Sequence, residues 1–174
     1  GLNIASLAKE QAQSHFERFI RHMRRQDTVS LHFWISLNIM QLTAGCGNFF
    51  LWNDPAHYNY VDQNNRLGYM WKLCSTYSLK IYIAGGWIPQ TLMPDADFIM
   101  DIAQNDPWFC TLPKLMYSIN ACRLYLHAFT TNDLIFPGSN IAYTGIFSGH
   151  HKVSSPYNFP EQKKYTCQKL LKKK

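Results

Sequence analysis

Five aspartates have the residue type and spacing for phosphate or metal chemistry. Asp95, Asp97, Asp101 and Asp106 are four of the eleven acidic residues in the 174-residue chain, and Asp54 lies two positions after the apolar run at 48–52. Asp97 and Asp101 are four positions apart, so two such carboxylates on one helix share a face. Carboxylate oxygens are the ligands that Mg²⁺ prefers, and Mg²⁺ commonly acts on phosphate substrates.

This spacing predicts Asp54 and Asp97 as catalytic residues of a metal-dependent reaction. Asp95 and Asp101 join them as predicted Mg²⁺ ligands, with Mg²⁺ needed only if the protein is active. A simpler interpretation stays open for both groups. "NDP" at 53–55 is an ordinary turn signal, and acidic residues in a first helical turn are favoured by the helix dipole.

Other catalytic chemistry has little support in the chain. The seven histidines have no partner at metal-ligand spacing, and no GxSxG, GxGxxG or phosphate-binding loop occurs. The five cysteines form no CxxC pair. Their odd number, with no signal-like segment near the N-terminus, favours an intracellular setting. No apolar run approaches the roughly 20 residues that span a bilayer, so no membrane association is expected.

The net charge of +6 is concentrated in two places. Four arginines lie near the start, and a lysine-rich segment ends the chain, which together favour a polyanionic partner. An aromatic residue beside the acidic cluster, Trp87, has the type that stacks on bases. The predicted nucleic-acid contacts are Arg18, Arg21, Arg24, Arg25, Trp87, Lys163 and Lys164. A merely solubilising lysine-rich tail is the alternative interpretation.

Hydrophobic periodicity predicts both helices and strands. Helical spacing indicates helices over 6–25, over 66–77 and from Leu112 to Ile119, and a further helix should start near Asp95. Alternation or short apolar runs predict strands at 31–40, 48–52, 79–83 and 140–147, although "LNIMQLTA" (37–44) would equally open a helix. Alternation also runs through Leu124, Leu126 and Ala128.

This mixture of elements predicts an α/β or α+β fold with a single mixed sheet and flanking helices. The 174 residues suit one well-buried core. We therefore expect a single globular domain over 1–149, followed by a basic, loosely structured C-terminal tail over 150–174.

The segment "WIPQTLMPDAD" (87–97) resembles the end of the RNase H domain of reverse-transcribing elements. In that family a strand runs into an Ile-Pro turn, and an Ala-Asp step places a metal-binding aspartate on the last helix; Pro89, Ala96 and Asp97 match. "LGYMWKLCSTYSLKIYIAGG" (67–86) resembles the preceding helix and strand. Three further segments are similar in the same order: "NIASL" (3–7), "NIMQLTA" (38–44) and "LWND" (51–54).

The chain departs from that family at three acidic positions. Ile4, Gln41 and Asn53 stand where the family has carboxylates, and Asp97 keeps strict register. Paired-metal phosphodiester cleavage needs several carboxylates. The resemblance therefore implies an RNase-H-like fold with either weak Mg²⁺-dependent cleavage of an RNA/DNA hybrid or an inactive derivative that binds RNA or hybrid.

Two other functions remain open from the sequence. A non-catalytic structural or protein-interaction component fits the missing carboxylates and the many aromatic residues. An enzyme that acts on a small molecule through the acidic cluster is a further alternative, for which nothing in the sequence specifies a substrate.

Overall fold

The computed structural model of the chain describes residues 4–25, 27–83 and 97–135. These ranges contain α-helices joined by short 3₁₀ segments. The α-helices are α1 (Ile4–Arg24), α2 (Thr28–Ala44), α3 (Arg66–Thr76), α4 (Ile99–Asn105), α5 (Pro107–Cys110) and α6 (Pro113–Tyr125). The 3₁₀ segments are Phe50–Trp52, Pro55–His57 and Thr131–Leu134.

The predicted mixed sheet, and with it the α/β or α+β fold class, is wrong. No β-strand forms within the described ranges, where an isolated antiparallel bridge links Phe98 to Thr130. The strand expected at 48–52 is instead a loop and the 3₁₀ turn Phe50–Trp52. Residues 79–83 are not a strand either. Since the resemblance to the RNase H domain implied a sheet, its fold does not extend to this part of the chain.

The strand expected at 31–40 is the middle of helix α2. Its start is fixed by Asp27, whose carboxylate accepts a hydrogen bond from the Ser30 N–H at 2.8 Å. Its end is fixed by Gly45, which has a left-handed φ of 69° and donates its N–H to the Gln41 carbonyl at 3.0 Å. An aspartate N-cap is a strong signal for the start of a helix, and a left-handed glycine is a strong signal for its end. Because most of α2 is apolar on every side, alternation along the sequence did not mark one buried face.

The helices predicted from 3.6-residue spacing are confirmed. Helix α1 covers 6–24 of the predicted 6–25 and begins two residues earlier. Helix α3 covers most of 66–77 and begins after Asn65, whose side chain accepts the Gly68 N–H at 2.9 Å. Helix α6 includes the predicted 112–119 almost entirely and extends to Tyr125, through part of the apparent alternation at Leu124, Leu126 and Ala128.

The core lies where α3 and α6 meet the segment that follows α2. Trp71 of α3 is fully buried, packs edge-on against Phe50 with ring centroids 5.0 Å apart, and donates its indole N–H to the Asn53 carbonyl at 2.8 Å. Helix α1 packs on α2, and α4 packs on α5 and α6. The predicted strand at 140–147, the predicted tail at 150–174 and the 149/150 boundary lie outside the described residues.

Within the described ranges, no helix combines the length and apolar character required to cross a membrane.

Candidate functional site

The predicted acidic cluster forms one side of an open cleft along α4. Asp97, Asp101 and Asp106 all line it. Helix α4 begins at Ile99, so Asp97 lies before the helix and does not sit on it, contrary to the expectation of a helix starting near Asp95. Asp97 and Asp101 nevertheless line the same cleft. Their four-residue spacing had predicted that they would share the face of one helix, whereas only Asp101 lies on a helix.

Asp101 is a half-buried carboxylate of the cleft. It accepts a hydrogen bond from the Gly47 N–H at 3.0 Å. Burial raises its pKa above the ordinary value, and the Gly47 N–H and the charge of Arg123 act in the opposite direction. Burial is the largest of these influences, so the folded protein holds the Asp101 proton more tightly than the unfolded chain does.

The other carboxylates of the cleft have structural partners or point to solvent. Asp106 caps α5 by accepting the N–H groups of Trp108 and Phe109 at 2.9 and 3.2 Å. Asp97 is exposed, and its backbone carbonyl accepts the Thr131 N–H at 3.0 Å. Asp106 therefore has a structural role as a helix cap.

Asp54 does not line this cleft. It begins the 3₁₀ segment Pro55–His57 and accepts the Ala56 N–H at 3.0 Å, as the turn interpretation of "NDP" requires. Asp95 lies outside the described residues. Within the described ranges, no three His, Cys, Asp or Glu side chains come together so as to hold a metal ion. Asp97 and Asp101 line the cleft without Asp54, so the described members of the predicted set form no such group.

Behind the cleft lies a buried polar cluster that the sequence did not reveal as a unit. Gln41, where the RNase H family has a glutamate, is 1% exposed. Its amide nitrogen donates to the carbonyls of Cys46 and Asn48 at 3.2 and 2.8 Å, and its amide oxygen accepts the Phe50 N–H at 2.9 Å. One side chain thus satisfies three backbone groups of the segment after α2.

Cys46, Tyr58 and Tyr60 complete this cluster, and burial raises the pKa of all three side chains. Burial raises the pKa of the Cys46 thiol to about 11, so the thiolate that would act as nucleophile is scarce at neutral pH. Burial also raises the pKa values of Tyr58 and Tyr60 above their ordinary value. The Tyr60 hydroxyl donates to the Ala44 carbonyl at 2.9 Å and accepts from the Gln104 amide at 3.0 Å.

Arg123 of α6 is the least expected member of the interior. It is 2% exposed and donates from Nη2 to the carbonyls of Leu42 and, at 2.8 Å, Thr43. Its guanidinium lies 5.6 Å from the centre of the Phe129 ring, and burial lowers its pKa to about 10. A cation is favoured at the C-terminus of a helix, so Arg123 completes the end of α2.

The four predicted arginine contacts form an exposed group, which we call the arginine face: Arg18, Arg21, Arg24 and Arg25. Arg25 lies 3.8 Å from Asp27, and both side chains are about half exposed. No ion pair involves the other three arginines among the residues that the structure describes. The remaining predicted contacts, Trp87, Lys163 and Lys164, lie outside those residues.

No protein-family model, curated protein or solved structure matches this chain significantly.

Proposed function

We propose that this chain is a non-catalytic helical module that binds nucleic acid through the arginine face of α1. The observation that carries the proposal is the placement of four exposed arginines within the eight residues from 18 to 25. The magnesium-dependent hybrid ribonuclease is not proposed, because the sheet on which that resemblance depended is absent from the described ranges.

The arginine face is electrostatically unfavourable in the isolated protein. Arg18 and Arg21 are three positions apart, as are Arg21 and Arg24, and like charges at such spacings weaken a helix by a few tenths of a kcal/mol per pair. The weak Arg25–Asp27 pair compensates little of this repulsion, since exposed ion pairs contribute about 0–1 kcal/mol. A polyanion relieves the repulsion at all four positions together.

The helix dipole explains only part of the arginine face. Cations are favoured in the last turn of a helix, which accounts for Arg21 and Arg24. Arg18 lies further from the end of α1, where this effect has faded. From Arg18 to Arg24 the helix rises about 9 Å, a length over which duplex DNA presents several phosphates.

The internal polar groups support a binding function over catalysis. Asp54, Asp106, Gln41 and Arg123 each satisfy backbone groups of neighbouring segments. The raised pKa of Cys46 leaves that thiol protonated at neutral pH. These side chains have the types that catalysis commonly uses, but their contacts are with backbone groups that they hold in place.

The test is a binding titration of the full chain with labelled RNA, DNA and hybrid duplexes over a series of salt concentrations. The logarithm of the association constant should fall linearly with the logarithm of salt, and each lost phosphate contact should reduce the slope by about 0.7 to 0.9. The variant Arg18→Gln/Arg21→Gln/Arg24→Gln should therefore bind more weakly with a reduced slope.

A matched control removes three exposed cations from other helices: Arg66→Gln/Lys72→Gln/Lys114→Gln. It lowers the net charge equally and should leave the salt slope closer to that of the unsubstituted chain. An equal effect of both variants would contradict a defined arginine face. A slope that depends only on Lys163→Gln/Lys164→Gln would assign binding to the lysine-rich end instead.

A further inference from the structure

Helix α1 carries a row of four basic side chains at alternating spacings of three and four residues. They are His15, Arg18, His22 and Arg25, and Arg25 comes directly after the last helical residue. Residues at such spacings lie on the same side of a helix. We call these four residues the His–Arg row, which overlaps the arginine face at Arg18 and Arg25.

Each histidine of the row contacts an aromatic ring of a different neighbouring helix. The His15 ring meets Tyr69 of α3 edge-on, with ring centroids 4.7 Å apart. The His22 ring stacks on Phe33 of α2, with centroids 5.6 Å apart and an angle of 23° between the ring planes. Arg18 lies between the two pairs in the row. Aromatic pairs and arginines therefore alternate along this side of α1.

Both aromatic pairs keep ring surface in contact with solvent. Tyr69 is 37% exposed, and His15, His22 and Phe33 are half-buried. Phe19, an aromatic residue of α1 that belongs to the core, is by contrast 3% exposed. The rings of the two pairs are thus held by packing between helices and remain accessible to a ligand.

The charges around the His–Arg row suit a negatively charged ligand. Helices α2 and α3, which supply the partner rings, contain no acidic residue. Helix α1 contains Glu10 and Glu17, and Glu17 accepts a hydrogen bond from the Gln13 amide at 3.0 Å on another side of the helix. The ion pair recorded for this row among the described residues joins Arg25 to Asp27 at 3.8 Å. A polyanion therefore meets complementary charge along most of the row.

We infer, on the basis of the nucleic-acid binding proposed above, that the His–Arg row binds single-stranded RNA or DNA, with bases stacked on the two aromatic pairs and phosphates at Arg18 and Arg25. Proteins that bind single strands combine basic side chains that follow the backbone with aromatic rings on which bases stack. His15 and His22 are seven residues apart, so the helix separates the two pairs by about 10 Å. The row thus offers two stacking places to one strand.

A duplex cannot use the aromatic pairs in this way. The grooves of a double helix present the edges of the bases to a protein, while the base faces are stacked on one another. The unstacked bases of a single strand can turn their faces toward aromatic side chains. A duplex would therefore contact the arginines of this surface and leave the rings unused.

Titration of the full chain with labelled oligonucleotides tests this preference without altering the protein. A single strand should bind more tightly than the duplex of the same sequence at the same salt concentration. A strand of equal length in which abasic sites replace the bases keeps the phosphates and removes stacking. It should bind at least about fivefold more weakly, because each stacked base contributes about five- to a hundredfold in affinity.

Tyr69→Leu tests one of the two aromatic pairs. It removes a ring and no charge, so it should weaken binding of the base-bearing strand about tenfold and leave the salt slope and the binding of the abasic strand unchanged. Tyr117→Leu, at a tyrosine of α6 that is 58% exposed, is the matched control and should change neither strand. Circular dichroism establishes that both variants keep their helices.

The outcomes separate the stacking from the proposed function. A chain that binds no nucleic acid would overturn both. Salt-dependent binding with equal affinities for the base-bearing and abasic strands would overturn the stacking and leave the arginine face in place. Tighter binding of the duplex, or equal losses in Tyr69→Leu and Tyr117→Leu, would overturn the stacking in the same way.

Discussion

Helix α2 buries polar side chains at one end and exposes apolar side chains along its outer side. At the C-terminal end, polar side chains are buried and hydrogen-bonded: Gln41 binds three backbone groups, and Arg123 and Tyr60 bind the last carbonyls of the helix. Along the outer side of the same helix, the apolar side chains of Leu31, Ile35 and Ile39 are exposed. The difference shows that residue type alone does not predict burial here, since polar groups hold the fold together in the interior while apolar side chains of the same helix are exposed.

Arg123→Ala should be the most destabilising single change of this comparison. It would remove the buried donor of the Leu42 and Thr43 carbonyls and leave a cavity, and each lost hydrogen bond to a charged group costs about 1.5–3 kcal/mol. Urea denaturation measures the free energy of unfolding. Arg66→Ala, at an exposed position of α3, is the control, and equal losses in both variants would show that the buried contacts contribute little.

Gln41→Ala should be the next most destabilising change. It would leave the buried Phe50 N–H and two carbonyls without their side-chain partner, at a cost of about 1–3 kcal/mol for the unsatisfied groups. The same denaturation experiment measures it. Gln13→Ala, which removes an exposed hydrogen bond to Glu17, should change the free energy of unfolding by less than about 0.5 kcal/mol.

Asp27→Ala examines the opposite end of α2. It would remove the cap of the Ser30 N–H, and loss of such a cap costs typically about 1 kcal/mol. Asp27→Asn keeps an oxygen acceptor and removes the charge. If the asparagine variant lost as much stability as the alanine variant, the ion pair with Arg25 would be the important interaction, and the cap would not.

Asp101 should make stability depend on pH in an unusual direction for a carboxylate. Its pKa is raised by burial above the ordinary 3.8, so the folded protein binds this proton more tightly than the unfolded chain. The contribution of Asp101 to stability is therefore greatest below pH 3.8 and is lost as the pH rises through the folded pKa. The difference in unfolding free energy between the unsubstituted chain and Asp101→Asn, followed across this range, isolates the effect, and an opposite slope would contradict it.

Ile35→Ser should have the smallest effect on the isolated protein. The side chain is 46% exposed, and surface substitutions usually change the free energy of unfolding by no more than about 0.5 kcal/mol. Urea denaturation measures this value. A loss as large as that of Gln41→Ala would mean that Ile35 packs closely against other residues of the same molecule.

The helices with one clear apolar face were predictable from the sequence. In α1, α3 and α6, the 3.6-residue spacing predicted elements that the structure contains. Helix α2 was missed because its own apolar residues lie on all of its sides. Leu31, Phe33 and Ile35 therefore satisfied alternation as well as helical spacing. Asp27 and Gly45, which end the helix on either side, were the signals that could have decided between the two.

The candidate site was predictable only in part. The exposed arginines follow from the amphipathic pattern of α1, and the acidic residues could be grouped by their spacing. The role of Arg123 could not be found this way, because its carbonyl partners lie 80 and 81 positions earlier in the chain. A local sequence pattern does not indicate which distant helix end a buried cation will contact.

The long sequence separation between Arg123 and its carbonyl partners also suggests when these contacts form during folding. Gln41 binds groups five to nine positions away, so closing its contacts costs little chain entropy, whereas the Arg123 contacts close a loop roughly ten times longer. Contacts made after the transition state mainly affect how fast a protein unfolds. Loss of Arg123 should therefore shorten the lifetime of the native state, and loss of Gln41 should slow its formation.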